Sequence, residues 1–199
     1  MEKMYTLSNI LVQIVGIAVA ISVHEFGHAY SAHLLGDDTA KMYGRMTLDP
    51  TKHLDIMGLI AMLIFRIGWA KPVPVNPNNF KNYKLGNTIV SLAGVTANII
   101  VAIICVIINK YVNMYAINLI AQYVIVYNVG FAAFNLLPIP PLDGWGVISS
   151  FVPYKYNDVV YKYESMSSII FLVLIITGAY SIFVSPIINL IWKILYLFM

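Results

Sequence analysis

The chain has 199 residues, of which 60% are hydrophobic and 11% are charged, and its mean hydropathy is +0.79. Soluble domains average about 25% charged residues, so the composition excludes an ordinary soluble domain and predicts a single membrane-embedded domain over residues 1–199. The net charge of +3 is too small to indicate nucleic-acid binding, and a single cysteine, Cys105, excludes an internal disulfide.

The first predicted helix covers about residues 6–35 and contains the sequence HEFGH. Its length of roughly 45 Å exceeds a hydrocarbon core of about 30 Å. His24 and His28 are one turn apart on one helical face, whereas Glu25 is turned roughly 100° away. Histidines and a carboxylate in an apolar segment indicate a functional site. The spacing is typical of zinc peptidases, in which two histidines bind the metal and the glutamate is the general base.

The connection over about residues 37–84 predicts a short β-hairpin with a re-entrant element. Residues 40–48 and 69–77 each predict a short strand, because strand-forming residues fill the first and residues before proline avoid helical backbone in the second. The apolar run over 56–67 has about a dozen residues, a length typical of a re-entrant or interfacial element.

Four more helices are predicted after this connection. Two complete a three-helix core, at about 87–108 and 117–137, and two follow at about 166–183 and 186–198, divided by Gly178 and by a break at Ser185 and Pro186. The last is either a fifth span or a shorter tilted helix. The sequence therefore predicts an all-α polytopic membrane protein with four or five spans. Within the second core helix, the polar Asn98 favours a hydrogen bond between helices over a direct catalytic role.

A proline-rich turn follows the third core helix and reads NLLPIPPLDG from Asn135 to Gly144. Three prolines in four positions prevent the helix from continuing. A catalytic zinc ion requires three protein ligands and one open position. Asp143 is favoured as the third ligand, because a carboxylate fixed in a rigid turn at the membrane edge requires a charge partner. The alternatives are His33, Asp49, His53 and Asp55.

The basic residues predict the orientation in the membrane. Most of them fall in the first and third connections between spans, namely Lys41, Arg45, Lys52, Arg66, Lys71, Lys81, Lys84, Lys155 and Lys162. The positive-inside tendency then predicts an external N-terminus and cytoplasmic first and third connections. The HEFGH end of the first helix and the turn that contains Asp143 are thereby predicted on the same, cytoplasmic side.

HEFGH on an apolar helix, followed by NLLPIPPLDG after a later span, resembles the site-2 protease family of intramembrane zinc metalloproteases, the peptidase M50 group. Residues 44–55 and 68–76 resemble its compact prokaryotic branch, and the resemblance covers about Val12 to Gly144. One departure is Val95, which stands where relatives often have the proline of Ala-Gly-Pro. Its absence should remove a kink from the second core helix.

The resemblance implies one Zn²⁺ bound by His24, His28 and Asp143, with Glu25 as the general base and Asn135 steadying the substrate oxyanion. It implies hydrolysis of peptide bonds in or near transmembrane segments by a multi-pass protein of the cell membrane, with a transmembrane protein or peptide as the partner and an active site near the cytoplasmic face. It also implies that substrate binds by strand addition near residues 42–48. The expected substrate-binding residues are Met42, Tyr43, Gly44, His53 and Asn98.

A non-hydrolytic zinc-binding scaffold or a metal transporter is the alternative from another class. A transporter should place polar residues along a path through several spans, whereas here they concentrate at one end. A scaffold has no need of Glu25, which is present.

Overall fold

The computed structural model describes residues 7–65 and 68–199. Within these ranges the structure is helical, which confirms the predicted all-α class. Three short 3-10 turns, at Pro50–Lys52, Pro77–Asn79 and Tyr154–Tyr156, lie between the α-helices. The α-helices are α1 (Leu7–Leu34), α2 (Thr39–Met42), α3 (Ile56–Phe65), α4 (Tyr83–Tyr111), α5 (Tyr115–Asn135), α6 (Asp143–Ser149), α7 (Asn157–Thr177) and α8 (Tyr180–Leu195).

In the part of the chain that the structure describes, four helical segments are long and apolar enough to cross a membrane. They are Asn9–Leu34, Tyr83–Tyr111, Tyr115–Asn135 and Tyr154–Thr177. The last helix, α8, has 16 residues, and at roughly 24 Å it is shorter than a hydrocarbon core of about 30 Å. The protein is therefore a membrane-embedded helical protein.

Helices α1, α4 and α5 form the core bundle, and small residues let them approach closely. A Cβ atom added at Gly27 of α1 would lie 2.7 Å from the carbonyl oxygen of Ala93 in α4. A Cβ atom at Gly16 would lie 2.7 Å from Cδ2 of Tyr127 in α5. Helix α4 is continuous past Val95, as expected from the missing proline. It begins one turn earlier than predicted because the side chain of Asn82 accepts a hydrogen bond from the N–H of Leu85 (3.1 Å) and caps it.

The predicted β-hairpin between α1 and α4 is wrong. Residues 39–42 form α2, Gly44 turns the chain with a φ of +64°, and the described residues contain no strand beyond one antiparallel bridge between Leu54 and Ala70. The segment 69–76 is extended, but Pro72 and Pro74 cannot donate to a ladder. The N–H groups of Val73 and Asn76 donate to side chains, so beyond the bridge at Ala70 no strand among the described residues pairs with this segment.

The apolar run at 56–67 contains the ten-residue helix α3. Met62 packs against Ile17 and Ile21 of α1, while the opposite face of α3, with Ile56 and Ile64, is exposed. At roughly 15 Å the helix covers about half of a hydrocarbon core. Arg66, counted among the basic residues that predict orientation, lies outside the described residues.

The two C-terminal helices separate at Gly178, the first of the two predicted dividing points, and not at Ser185 and Pro186. Gly178 adopts a left-handed conformation (φ 70°) and ends α7, because glycine has no Cβ to oppose this geometry. Pro186 was predicted to separate the helices but lies inside α8. Helix α7 also begins at Asn157 rather than near residue 166.

Candidate metal centre

Three predicted ligands meet where α1 approaches the start of α6. The Nε2 atoms of His24 and His28 lie 3.0 Å apart. The Nε2 atom of His24 is 3.2 Å from Oδ2 of Asp143, and that of His28 is 3.4 Å from Oδ1. One ligand atom from each residue lies within 4.8 Å of the others. The side chains are 3%, 12% and 15% exposed in chain order, so the group is largely shielded from solvent.

Two helices hold α6 so that Asp143 faces the histidines. The side-chain amide of Asn87 in α4 donates to the carbonyl oxygen of Gly146 (2.9 Å) and to Oγ of Ser150 (2.8 Å). From α7, the hydroxyl of Tyr163 donates to the carbonyl oxygen of Pro138 (2.8 Å) in the proline-rich turn. The turn before α6 and α6 itself are thus both fixed from outside.

The ring of His24 is oriented by a buried amide chain. Its Nδ1 atom lies 2.7 Å from Oδ1 of Asn98. The Nδ2 group of Asn98 donates to the carbonyl oxygen of Ala20 and to Oδ1 of Asn128, both at 2.8 Å. Because both donors of Asn98 are committed, its oxygen faces the imidazole, and Nδ1 of His24 carries the proton.

The ring of His28 has the same tautomer for a different reason. Its Nδ1 atom lies 2.7 Å from the carbonyl oxygen of Val90, which can only accept a hydrogen bond. Both Nε2 atoms are therefore left as lone-pair acceptors that face each other and a carboxylate. Partners of this kind, which set the tautomer, are usual behind metal-binding histidines.

The donor set fits a zinc ion. Oδ2 of Asp143 is buried and has no hydrogen-bond donor among the residues that the structure describes. Three converging acceptors repel one another unless a proton or a metal cation lies between them. Two imidazole nitrogens and one carboxylate oxygen form a common catalytic zinc set, which leaves a fourth position open.

The backbone of α4 forms one wall of the centre at Gly94. A Cβ atom added there would lie 2.6 Å from Nε2 of His28 and 2.7 Å from Cε1 and Nδ1 of His24. Gly94 is not among the site residues predicted from the sequence. The feature of the sequence that could have pointed to Gly94 is its position among the small residues of an apolar helix.

Glu25 lies beside the ligand set rather than in it. Its side chain is buried, and its Oε2 atom accepts a hydrogen bond from the N–H of Val73 at 2.8 Å. This carboxylate is absent from the group whose atoms converge within 4.8 Å. In the HExxH pattern the glutamate is a carboxylate that lies near the metal but does not bind it, and the arrangement of Glu25 matches this role.

The family of this chain follows from its similarity to known proteins. The chain is 38% identical over 195 residues to "Putative zinc metalloprotease YwhC" of Bacillus subtilis (strain 168), an alignment that covers 93% of this chain and 89% of the relative. The chain belongs to this zinc metalloprotease family. "Putative zinc metalloprotease Rip2" of Mycolicibacterium smegmatis is 29% identical over 179 residues, or 83% of this chain and 67% of the relative. Rip2 of Mycobacterium tuberculosis H37Rv is 32% identical over 149 residues, or 68% and 55%. No family model and no solved structure matches the chain.

In this metalloprotease the other candidates for the third ligand have different partners. His33 pairs with Asp38. Asp49 accepts a hydrogen bond from the N–H of Thr51 (3.0 Å), and Asp55 accepts one from the N–H of Gly58 (2.9 Å). His53 is fully buried, and its Nε2 atom lies 2.8 Å from the carbonyl oxygen of Thr47.

Asn135 is the last residue of α5, and its side chain is buried. Its Nδ2 group donates to the carbonyl oxygen of Phe131, one turn earlier in the same helix, at 3.0 Å. The amide that was predicted to steady an oxyanion of the metalloprotease substrate is therefore engaged within its own helix, and its catalytic role stays a prediction.

The five residues predicted to bind substrate do not share one surface. Met42 and Tyr43 are 76% and 73% exposed at the end of α2, and Gly44 is in the turn that follows. Asn98 and His53 have no exposed surface. Asn98 instead makes the predicted hydrogen bond between helices, and the residue that it orients, His24, is a predicted metal ligand.

Proposed function

We propose that the protein is an intramembrane zinc metallopeptidase of the site-2 protease type, the peptidase M50 group. It hydrolyses peptide bonds in or near transmembrane segments of membrane proteins. The observation that carries this proposal is the convergence of His24, His28 and Asp143 within 4.8 Å inside a bundle of apolar helices. A buried HExxH site with a distant carboxylate ligand suits hydrolysis at membrane depth.

Each residue of the centre has a chemical role in this proposal. His24 and His28 hold the ion through Nε2, and Asp143 supplies the anionic ligand. Bound Zn²⁺ supplies Lewis-acid chemistry, polarising a carbonyl group and lowering the pKa of water toward about 7. Glu25 accepts the proton of the attacking water and passes it to the leaving amine. Asn135 turns its amide from the carbonyl oxygen of Phe131 toward the substrate carbonyl oxygen, which gains negative charge as the water attacks.

The substrate is a transmembrane protein or peptide that unwinds locally before cleavage. A helical backbone engages its own carbonyl groups in hydrogen bonds, so the scissile bond becomes accessible only when that part of the helix opens. Strand addition to residues 42–48 is not expected, because Met42 ends α2 and the chain turns at Gly44 instead of forming a strand.

The active site lies near the cytoplasmic side of the cell membrane. His28 is within two turns of the C-terminal end of α1, and the connection that follows contains half of the twelve basic residues. The turn before Asp143 reaches the same end of the bundle from α5.

Cleavage of a transmembrane peptide by the purified protein in liposomes tests the proposal. Glu25→Gln should retain zinc and lose cleavage, whereas Asp143→Ala should lose zinc and cleavage together. Asp158→Ala removes an acidic residue from the first turn of α7 and serves as the control, with zinc and cleavage unchanged. Normal cleavage by Glu25→Gln would show that Glu25 is not the base. Zinc binding without cleavage by the wild type would favour a non-hydrolytic scaffold or a transporter.

A further inference from the structure

Residues 70–76, here called the strap, lie along α1 and donate backbone hydrogen bonds from three positions. The N–H of Lys71 donates to the carbonyl oxygen of His53 at 2.8 Å. The N–H of Val73 donates to Oε2 of Glu25 at 2.8 Å, and that of Asn76 donates to Oδ2 of Asp37 at 2.7 Å. Two carboxylates, one on α1 and one just after it, therefore hold a single extended segment.

Asp37 anchors the C-terminal end of the strap. It is fully buried, and its Oδ1 atom accepts hydrogen bonds from the N–H and hydroxyl of Thr39 and from Nδ2 of Asn79. Burial raises the pKa of Asp37, but the hydrogen bonds from Thr39, Asn76 and Asn79 outweigh this effect and hold the pKa below its usual range. The carboxylate is therefore ionised, and each donor bonds strongly to it.

Arg45 fixes the other end of the strap. Its Nη2 group donates to the carbonyl oxygens of Lys71 (2.8 Å) and Pro72 (3.4 Å). Ala70 also pairs with Leu54 in the antiparallel bridge. Val73 thus lies between two fixed points.

The sequence Pro72-Val73-Pro74 presets the direction of the central N–H group. Proline fixes its own φ and restricts the preceding residue to extended backbone. The Val73 side chain is buried in a cluster with Ala29 and Ala40. The backbone at Val73 therefore loses little conformational freedom when its N–H group donates a hydrogen bond to Glu25.

We infer that the strap is a positioning device for the catalytic base. The Val73 N–H holds Oε2 of Glu25, and Oε1, which accepts no hydrogen bond from the described residues, remains free to take a proton. Without this donor, the Glu25 side chain can rotate among rotamers that direct its charge away from the centre. This inference rests on the proposed role of Glu25 as the base.

Hydrogen–deuterium exchange of the full-length protein tests the contact without relying on activity. Residues 72–74 contain one exchangeable amide, that of Val73, since both neighbours are prolines. Glu25→Gln keeps a side-chain oxygen that can accept the bond, whereas Glu25→Ala removes it. We expect the Val73 amide to be protected in the wild type and in Glu25→Gln, and to exchange at least tenfold faster in Glu25→Ala. Equal protection in all three proteins would overturn the inference.

A pair of variants at the strap then tests the effect on catalysis. Val73→Pro and Val73→Ala both remove the valine side chain, but only the proline variant removes the N–H. We expect kcat for the transmembrane peptide to be about 10- to 100-fold lower in Val73→Pro than in Val73→Ala. KM and zinc content should be equal in the two proteins.

Two results would contradict this expectation. Equal kcat values would show that the N–H does not position the base, and a selective loss of zinc from Val73→Pro would show that the strap supports the metal ligands instead. Failure of the proposed function is distinguishable, because the wild type would then bind zinc without cleaving the peptide, whereas normal cleavage by Glu25→Gln would show that Glu25 is not the base.

Discussion

The side-chain oxygen of Asn98 lies 2.7 Å from Nδ1 of His24, and both residues are buried in the bundle. This contact joins α4 to α1 and leaves Nε2 of His24 as the atom that faces Asp143. A residue of one membrane helix thereby sets the tautomer of a predicted metal ligand on another.

Replacing Asn98 should weaken metal binding. Asn98→Ala leaves Nδ1 of His24 without its acceptor and frees the ring, so we expect zinc affinity to fall about 10- to 100-fold. Competition with a chromophoric chelator measures this change. Thr96→Ala, on the exposed side of the same helix, is the matched control. An affinity equal to that of the control would mean that the contact does not orient the ligand.

A methyl group at Gly94 should displace the histidines. In Gly94→Ala the added Cβ would lie 2.6 Å from Nε2 of His28, closer than carbon and nitrogen atoms pack. We expect zinc content to fall by at least tenfold while the protein remains folded. In α5 a Cβ added at Gly130 meets no atom within 4 Å, so Gly130→Ala should keep its zinc. Full zinc occupancy in Gly94→Ala would contradict the close approach of α4 to the two imidazoles.

Removing the link between α4 and α6 should loosen Asp143 without touching it. Asn87→Ala deletes the hydrogen bonds to Gly146 and Ser150. At about 1 kcal/mol for each of the two bonds, zinc affinity should fall by up to about thirtyfold. Asn113→Ala, an exposed change in the turn between α4 and α5, is the control. Unchanged zinc affinity in Asn87→Ala would show that another contact, such as the hydrogen bond from Tyr163, restrains α6.

The anchor at Asp37 should make stability depend on pH with a defined sign. Its pKa is lower in the folded protein than in the unfolded chain, so its stabilisation is present above the unfolded value, near 3.9, and is lost as the pH falls through the lower folded value. Asp37→Asn should cost about 1–3 kcal/mol at pH 7. Thermal unfolding of the wild type and of Asp37→Asn can be followed in detergent from pH 7 to pH 3. The gap between their unfolding temperatures should narrow in acid. A gap that widened in acid would contradict the assignment.

Local sequence patterns predicted the helices because a chain in lipid must satisfy its backbone hydrogen bonds within each segment. The first span was predicted over residues 6–35, and α1 runs from Leu7 to Leu34. Long apolar runs specify such helices without reference to the rest of the fold. The hairpin prediction failed because the strap takes its hydrogen-bond partners from Glu25 and Asp37, far away in sequence.

By itself, the sequence determined that His24 and His28 share one face of a membrane helix and that Asp143 follows a rigid turn, since helical periodicity and proline stereochemistry act over a few residues. Only the tertiary structure decided which atoms meet. The partners of the two imidazoles, Asn98 and the Val90 carbonyl, come from α4, and the donor to Glu25 comes from Val73 in the strap. Such contacts depend on how helices and loops pack, and no short-range pattern encodes that packing.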